Sequence, residues 1–191
     1  MTTTSSGQGT IRMPDPDFVH PELHAPEGGA GRAFRYVAAA LRLSLGWVFL
    51  WAFLDKTFGW GYATPSEGAW INGGEPTRGF LENGATGPFA DFYRGIAGDS
   101  WADWLFMLGL LGIGVALMAG VAMRIAAAAG ALMMTLMYTV VLPPDNNPFM
   151  DDHIVYALVL VALALVGAGH TLGLGKQWER IPLVRRSALL K

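Results

Sequence analysis

Four stretches of the chain are almost wholly apolar, and the polar residues are gathered between them. Phe34 to Leu54 (FRYVAAALRLSLGWVFLWAFL) is broken in its interior only by Arg42, and Trp104 to Ala122, Ile125 to Leu142 and Ile154 to Gly169 follow. Each is close to the roughly 17–25 residues that carry a helix across a bilayer core, the last being the shortest. The second and third run together with a single charge, Arg124, between them. One straight helix of that length would be roughly twice the hydrocarbon thickness, so a tight turn around Gly120 to Arg124 is predicted. Pro143-Pro144 stops the third helix, because proline lacks an N–H and its ring clashes with the preceding turn. Asn147 or Asp151 can cap the start of the fourth, with Pro148 suited to a first helical position.

The pattern predicts an all-α integral membrane protein: a four-transmembrane-helix bundle with an ordered extracytoplasmic cap between helices one and two. The helices are expected over about 34–55, 101–122, 125–142 and 152–169, with an outer loop at 56–100. A flexible cytoplasmic tail is expected over 1–33, which has no signal-peptide apolar run, and a basic cytoplasmic tail over 171–191. Composition agrees: of 191 residues 52% are hydrophobic and 15% charged, against roughly a quarter charged in soluble domains. Nine of the 13 Lys and Arg fall on the side of the termini and the hairpin turn, three (Lys56, Arg78, Arg94) on the other, and Arg42 inside. Both termini are therefore expected in the cytoplasm, with the bundle in a cell membrane. Ten of the 15 acids lie in the two outer connections. A net charge of −2 with no basic face excludes a nucleic-acid binder. The chain has no cysteine, hence no disulfide, thiolate nucleophile, persulfide carrier or iron–sulfur cluster.

The first outer connection is far longer than the usual ~4–6 residues and holds Phe58, Trp60, Tyr62, Trp70, Phe80, Phe89, Phe92 and Tyr93. Disordered segments are poor in aromatics, so a small cap over the bundle mouth is predicted, with headgroup anchoring as the simpler role for the rings. Pro88 to Ile96 reads as an amphipathic helix with Phe89, Phe92, Tyr93 and Ile96 on one face. Gly112, Ala116 and Gly120 form a small-residue stripe suited to close helix packing in the bundle or to a homo-oligomer seam. Ala126 to Gly130 serve the same purpose, and Met133, Met134 and Met137 read as adaptable packing.

Arg42 is predicted about seven residues, roughly 10 Å, inside the cytoplasmic boundary, and an intramembrane arginine marks a functional site by default. No Asp or Glu lies in the apolar segments, so helix-end carbonyls, a lipid phosphate, water or an anionic substrate must answer it. Helix side chains lean toward the N-terminus, so snorkelling to the cytoplasmic face competes with these. At the outer ends Asp55, Lys56, Asp103, Tyr138, Asp151, Asp152, His153 and Tyr156 converge if the bundle is compact. A quinone site needs carbonyl donors, a proton-exchanging group and aromatic walls. His153, tuned by Asp152 or Asp55, is the candidate proton handler. Arg42, Asp55, Lys56, Trp51, Tyr138 and Tyr156 are the candidate quinone contacts, and Lys56 with Arg78 or Arg94 could attract an anion. An N-cap carboxylate beside an interfacial histidine explains part of this cluster structurally. No metal or haem site is expected. His153 and His170 lie roughly 25 Å apart on one helix, and Pro21 breaks the His20–His24 pair.

The residues Arg42-x3-Gly46-x2-Phe49-x6-Lys56, AWINGG at Ala69 to Gly74, GFL at Gly79 to Leu81 and GPFADFY from Gly87 recur with a later set. That set is LGLLGIGVALMAG, the MRIAA turn at Met123 and LPPDNNPFMDDHIVYAL. Over Arg35 to Gly175 the chain resembles the DoxX/DoxD family of small four-helix membrane proteins, in its DoxD-type, actinobacterial branch. The resemblance implies a redox membrane subunit. DoxD-like members are associated with thiosulfate:quinone oxidoreductase, in which thiosulfate becomes tetrathionate and electrons enter the menaquinone or ubiquinone pool beside a second small subunit. Other members are linked to membrane-associated redox enzymes. A non-catalytic scaffold recruiting such enzymes is the alternative, and a small-solute carrier a third reading with Arg42 as its one hint. Any sulfur chemistry here proceeds without a covalent thiol on this chain.

Overall fold

A computed structural model describes residues 28–145 and 147–191. Most of the expected N-terminal tail, with Arg12, His20 and His24, lies outside the described residues. The described residues are helices and turns throughout. Helix α1 runs Gly29–Phe58, 30 residues and about 45 Å, longer at both ends than its apolar core. It stops where Gly59 enters the left-handed region (φ 65°) and returns its N–H to Asp55 O at 2.8 Å. Short elements follow: 3-10 turns at Ser66–Gly68 and Trp70–Asn72, α2 at Arg78–Asn83, a 3-10 turn at Gly87–Phe89, and α3 at Ala90–Gly95. Then come α4 (Ser100–Ala119), α5 (Met123–Val140) and α6 (Asp152–Leu165), a 3-10 turn at Ala168–His170, and the short α7 (Gly175–Trp178) and α8 (Pro182–Arg185).

The turn predicted near Gly120 is tight. Gly120 (φ 71°) and Ala122 (φ 48°) both take the left-handed conformation, and the chain reverses within three residues between α4 and α5. The four longer helices close a ring in which α1 packs on α4, α4 on α5, α5 on α6, and α6 with the turn after it back on α1. Phe49, Met107, Leu110, Ile113, Leu117, Met134 and Leu160 fill the centre. Three helices, α1, α4 and α5, are long and apolar enough to cross a membrane, and α6 is apolar but has only 14 residues. Large side chains such as Leu105, Leu132, Leu158 and Leu165 are about two-thirds exposed around the ring. Contiguous apolar exposure on this scale is the exterior of a membrane protein rather than of a soluble one.

The small-residue stripe packs in part as predicted: Ala116 lies against the core, and Gly120 is buried with Gly169 O 2.9 Å from its virtual Cβ. A Cβ on Gly112 would meet nothing within 4 Å, whereas one on Gly114 would lie 2.8 Å from Leu50 N and 2.9 Å from its Cα. The close approach of α1 and α4 therefore runs through Gly114 and Gly46, one face round from the predicted line. Gly130 serves α5 and α6 in the same way, with Leu160 Cδ1 2.7 Å from its virtual Cβ. The Pro88 to Ile96 helix is also rotated from its expected face. Ala90 and Tyr93 are buried while Phe89 and Phe92 are exposed. Tyr93 sets this rotation, because its hydroxyl sits 2.5 Å from Thr139 Oγ1 on α5. Leu81, Ala85, Ala90, Tyr93 and Val140 form a small second core where the connection meets the end of α5.

Candidate functional site

The predicted residues fall into three places. The first is the end of α1 nearest the long connection. Trp47 and Trp51 are one turn apart with ring centroids 5.6 Å apart. The returning chain lays Trp60 and Tyr62 on Trp51 at 5.4 and 5.1 Å, Tyr62 edge-on. Asp55, 1% exposed, makes that return possible by accepting the backbone N–H groups of Tyr62 (3.3 Å) and Ala63 (2.9 Å). The result is an open groove of about 450 Å³ whose walls include Trp47, Val48, Trp51 and Tyr62, with Asp55 and Lys56 at one end. The Lys56 ammonium lies 5.9 Å over the Phe106 ring of α4, within the field of Asp55 and Asp103. Trp51, Asp55 and Lys56 thus line one groove, while Arg42, Tyr138 and Tyr156 lie elsewhere.

Arg78 and Arg94 do not join them. Arg78 pairs with Glu75 and with Glu82 at 3.1 Å, and Arg94 donates to Ala85 O at 2.7 Å. Sequence reasoning did not find the role of Asp103. Buried at the start of α4, it accepts both the N–H (2.8 Å) and the hydroxyl (2.7 Å) of Thr77, tying the connection to the bundle. The two residues are 26 positions apart, and no local pattern links them.

The second place is the start of α6. Asp151 is its N-cap and accepts from His153 N at 3.1 Å and Ile154 N at 3.3 Å. Its other oxygen lies 2.5 Å from His153 Nδ1. The carboxylate that orients His153 is therefore Asp151, not Asp152 or Asp55, and Asp152 is exposed. The cap geometry explains this, since an N-cap side chain folds back over the first turn while the next residue points away. Tyr138 donates to Phe149 O at 2.8 Å and holds the loop before α6, and Tyr156 is half-buried against the central core. No hydrogen bond or ion pair among the described residues joins His153 to Lys56.

The third place is Arg42, roughly 20 Å along α1 from Asp55. Its side chain is 0% exposed and does not snorkel. The guanidinium donates to Leu117 O and, at 3.1 Å, to Met118 O at the end of α4. It also donates to Thr171 O at 3.3 Å and Leu172 O at 2.8 Å in the turn after α6. Of the partners open to it, helix-end carbonyls are the ones used, and Nε is buried without any. Leu172 sits in the left-handed region (φ 52°), held there with its carbonyl on the guanidinium. Arg42 thus lies level with the end of α4, beside the turn into α5.

Among the described residues no group of three or more His, Cys, Asp or Glu is placed to hold a metal. Comparison with known proteins yields no match, whether with family models, curated proteins or solved structures.

Proposed function

We propose that the chain is a DoxX/DoxD-like redox subunit of a bacterial plasma membrane, and that the groove at the outer end of α1 receives a quinone head group. In this reading α6 with the turn after it completes a fourth span, both termini are cytoplasmic, and residues 59–99 cap the outer end. The charge asymmetry of the connections supports the orientation. One observation carries the functional reading: Trp47, Trp51 and Tyr62 wall a groove that opens on the apolar exterior and ends at Lys56. Aromatic walls suit a flat ring, an ammonium suits a quinone carbonyl, and the apolar rim suits an isoprenoid tail arriving from the bilayer. The His153–Asp151 pair, also at an outer end, is the candidate proton handler. Quinone reduction takes two electrons and two protons. With Arg78 and Arg94 already engaged, a partner redox subunit is better supported as the electron donor than thiosulfate bound at this groove.

A non-catalytic scaffold recruiting redox or respiratory enzymes is favoured by one observation, the separation of His153 from the groove. Tryptophan quenching by a soluble menaquinone or ubiquinone analogue decides between them. Saturable quenching that Lys56→Met weakens by about tenfold or more, the loss of one charge-assisted hydrogen bond, supports the quinone site. Unsaturable quenching, with a redox enzyme co-purifying stably, supports the scaffold. Quinone reduction by thiosulfate or a partner enzyme, lost in His153→Ala, would add the catalytic step.

A further inference from the structure

Residues 171–191 fold back across the end of the bundle opposite the groove. Leu174 N donates to Ala119 O at 2.8 Å, Arg124 donates from Nη1 to Ala188 O (2.8 Å) and from its backbone N to Lys191 O (3.0 Å). Trp178 Nε1 donates to Leu190 O, and Val184 is buried beneath. These contacts fix the segment's depth. It hangs from Ala119 and Arg124, the adjoining ends of α4 and α5, whose 20 and 18 residues make about 30 and 27 Å. A hydrocarbon core is about 30 Å thick, so a segment on these ends lies in the headgroup layer.

The exposed residues of this segment are mixed in a specific way. Leu183 and Leu189 are 70% and 72% exposed, and Ile181 is exposed beside them. Lys176, Arg180, Arg185 and Arg186 are exposed on the same stretch. The one acid, Glu179, is taken by His170 Nε2 at 2.8 Å. Pro182, Arg185 and Arg186 line an open cleft of about 320 Å³. A short basic segment with uncovered leucines, held flat at the apolar boundary, has the chemistry of an interfacial lipid-binding element.

We infer that this segment is a collar for anionic phospholipid. Arg180, Arg185 and Arg186 take headgroup phosphates, and Ile181, Leu183 and Leu189 enter the acyl boundary. The inference rests on the membrane reading of the helices given above. Each cation at an anionic surface is worth about a fivefold preference, so the three arginines together account for one on the order of 100-fold.

The chain has no native thiol, so Leu183→Cys accepts a single environment-sensitive fluorophore. In nanodiscs, replacing phosphatidylcholine by phosphatidylglycerol should shift its emission to the blue. The shift should vanish in Arg180→Gln/Arg185→Gln/Arg186→Gln and in about 1 M salt, where the screening length is about 3 Å. A label that stays aqueous in both lipids overturns the collar. So does an equal shift in both lipids that the glutamine variant leaves unchanged. The same shift from inorganic phosphate in detergent overturns the lipid as ligand. Extraction of the protein by alkaline carbonate tests the spans separately: a protein that resists extraction while its label stays aqueous loses the collar alone.

Discussion

Arg42→Met removes the guanidinium and keeps the length of the stem. Leu117 O retains a second donor, Gly120 N at 3.2 Å, but Met118 O, Thr171 O and Leu172 O receive no other backbone N–H. A buried carbonyl left without a partner costs about 1–3 kcal/mol; these three lie in part-buried bonds and Leu172 is exposed, so together they cost about 3–5 kcal/mol. Against that, methionine spares the several kcal/mol that burying a cation costs. The balance is a loss of about 1–2 kcal/mol, concentrated at the end of α4 and the turn at 171–173. Arg42→Lys should be no better than methionine. A single ammonium reaches one of the two chain segments that the fork bridges, and its charge remains buried. Unfolding in mixed micelles with increasing SDS, followed by circular dichroism, gives the free energies, and amide exchange at Leu172 and Leu174 gives the location. Arg42→Met within about 0.5 kcal/mol of the parent would refute the carbonyl latch, as would full recovery in Arg42→Lys.

Two paired substitutions check other parts of the same reasoning. Gly114→Ala places a methyl 2.8–3.0 Å from Leu50 atoms, two of them backbone, and should cost about 1–3 kcal/mol. Gly112→Ala meets nothing and should be neutral or stabilising by up to about 1 kcal/mol, measured in the same SDS titration. Asp151→Ala loses the N-cap of α6 and should cost about 1–2 kcal/mol, whereas Asp152→Ala, exposed, should stay within about 0.5 kcal/mol. Equal effects in either pair, read by thermal unfolding, would mean that the assigned face or cap is wrong.

The parts of the fold legible in the sequence are those governed by backbone chemistry. Gly120, Pro143-Pro144 and the Asp151 region announce helix ends, and the absence of any intramembrane carboxylate already left carbonyls among the few partners open to Arg42. What was not legible is rotation about the helix axis. In water the buried face of a helix is the apolar one; against lipid both faces are apolar, and hydrophobicity no longer marks the interior. That is why Gly112 and Gly114, two residues apart on α4, could not be told apart, and why Phe89 and Phe92 were grouped on one face with Tyr93 and Ile96. Asp152 was matched to His153 for a different reason: it is the histidine's neighbour in sequence, and only the fold-back of the Asp151 cap side chain over the first turn brings a carboxylate to the ring. The Asp103–Thr77 anchor depends on how the long connection returns, which its aromatic content signals without specifying.

The placement of Arg42 also bears on how anything could reach the groove. A carrier needs a polar group at mid-depth that is free to exchange partners as the ends open in turn. Arg42 is the one charge in the interior of the apolar segments, and it is not free, since four carbonyls from two segments hold it near the end of α4. Opening that end would break the contacts that keep α4 and the 171–173 turn together, at the cost worked out above. The carrier reading thereby loses its only intramembrane support. The opposite end differs: Asp55 is consumed in shaping the loop, while Lys56 faces an open groove. Under the proposed reading, a ligand of the groove comes sideways from the apolar exterior or from the side of residues 59–99, away from the end that Arg42 latches. Those are the directions from which a lipid-soluble quinone and a partner subunit, respectively, would approach.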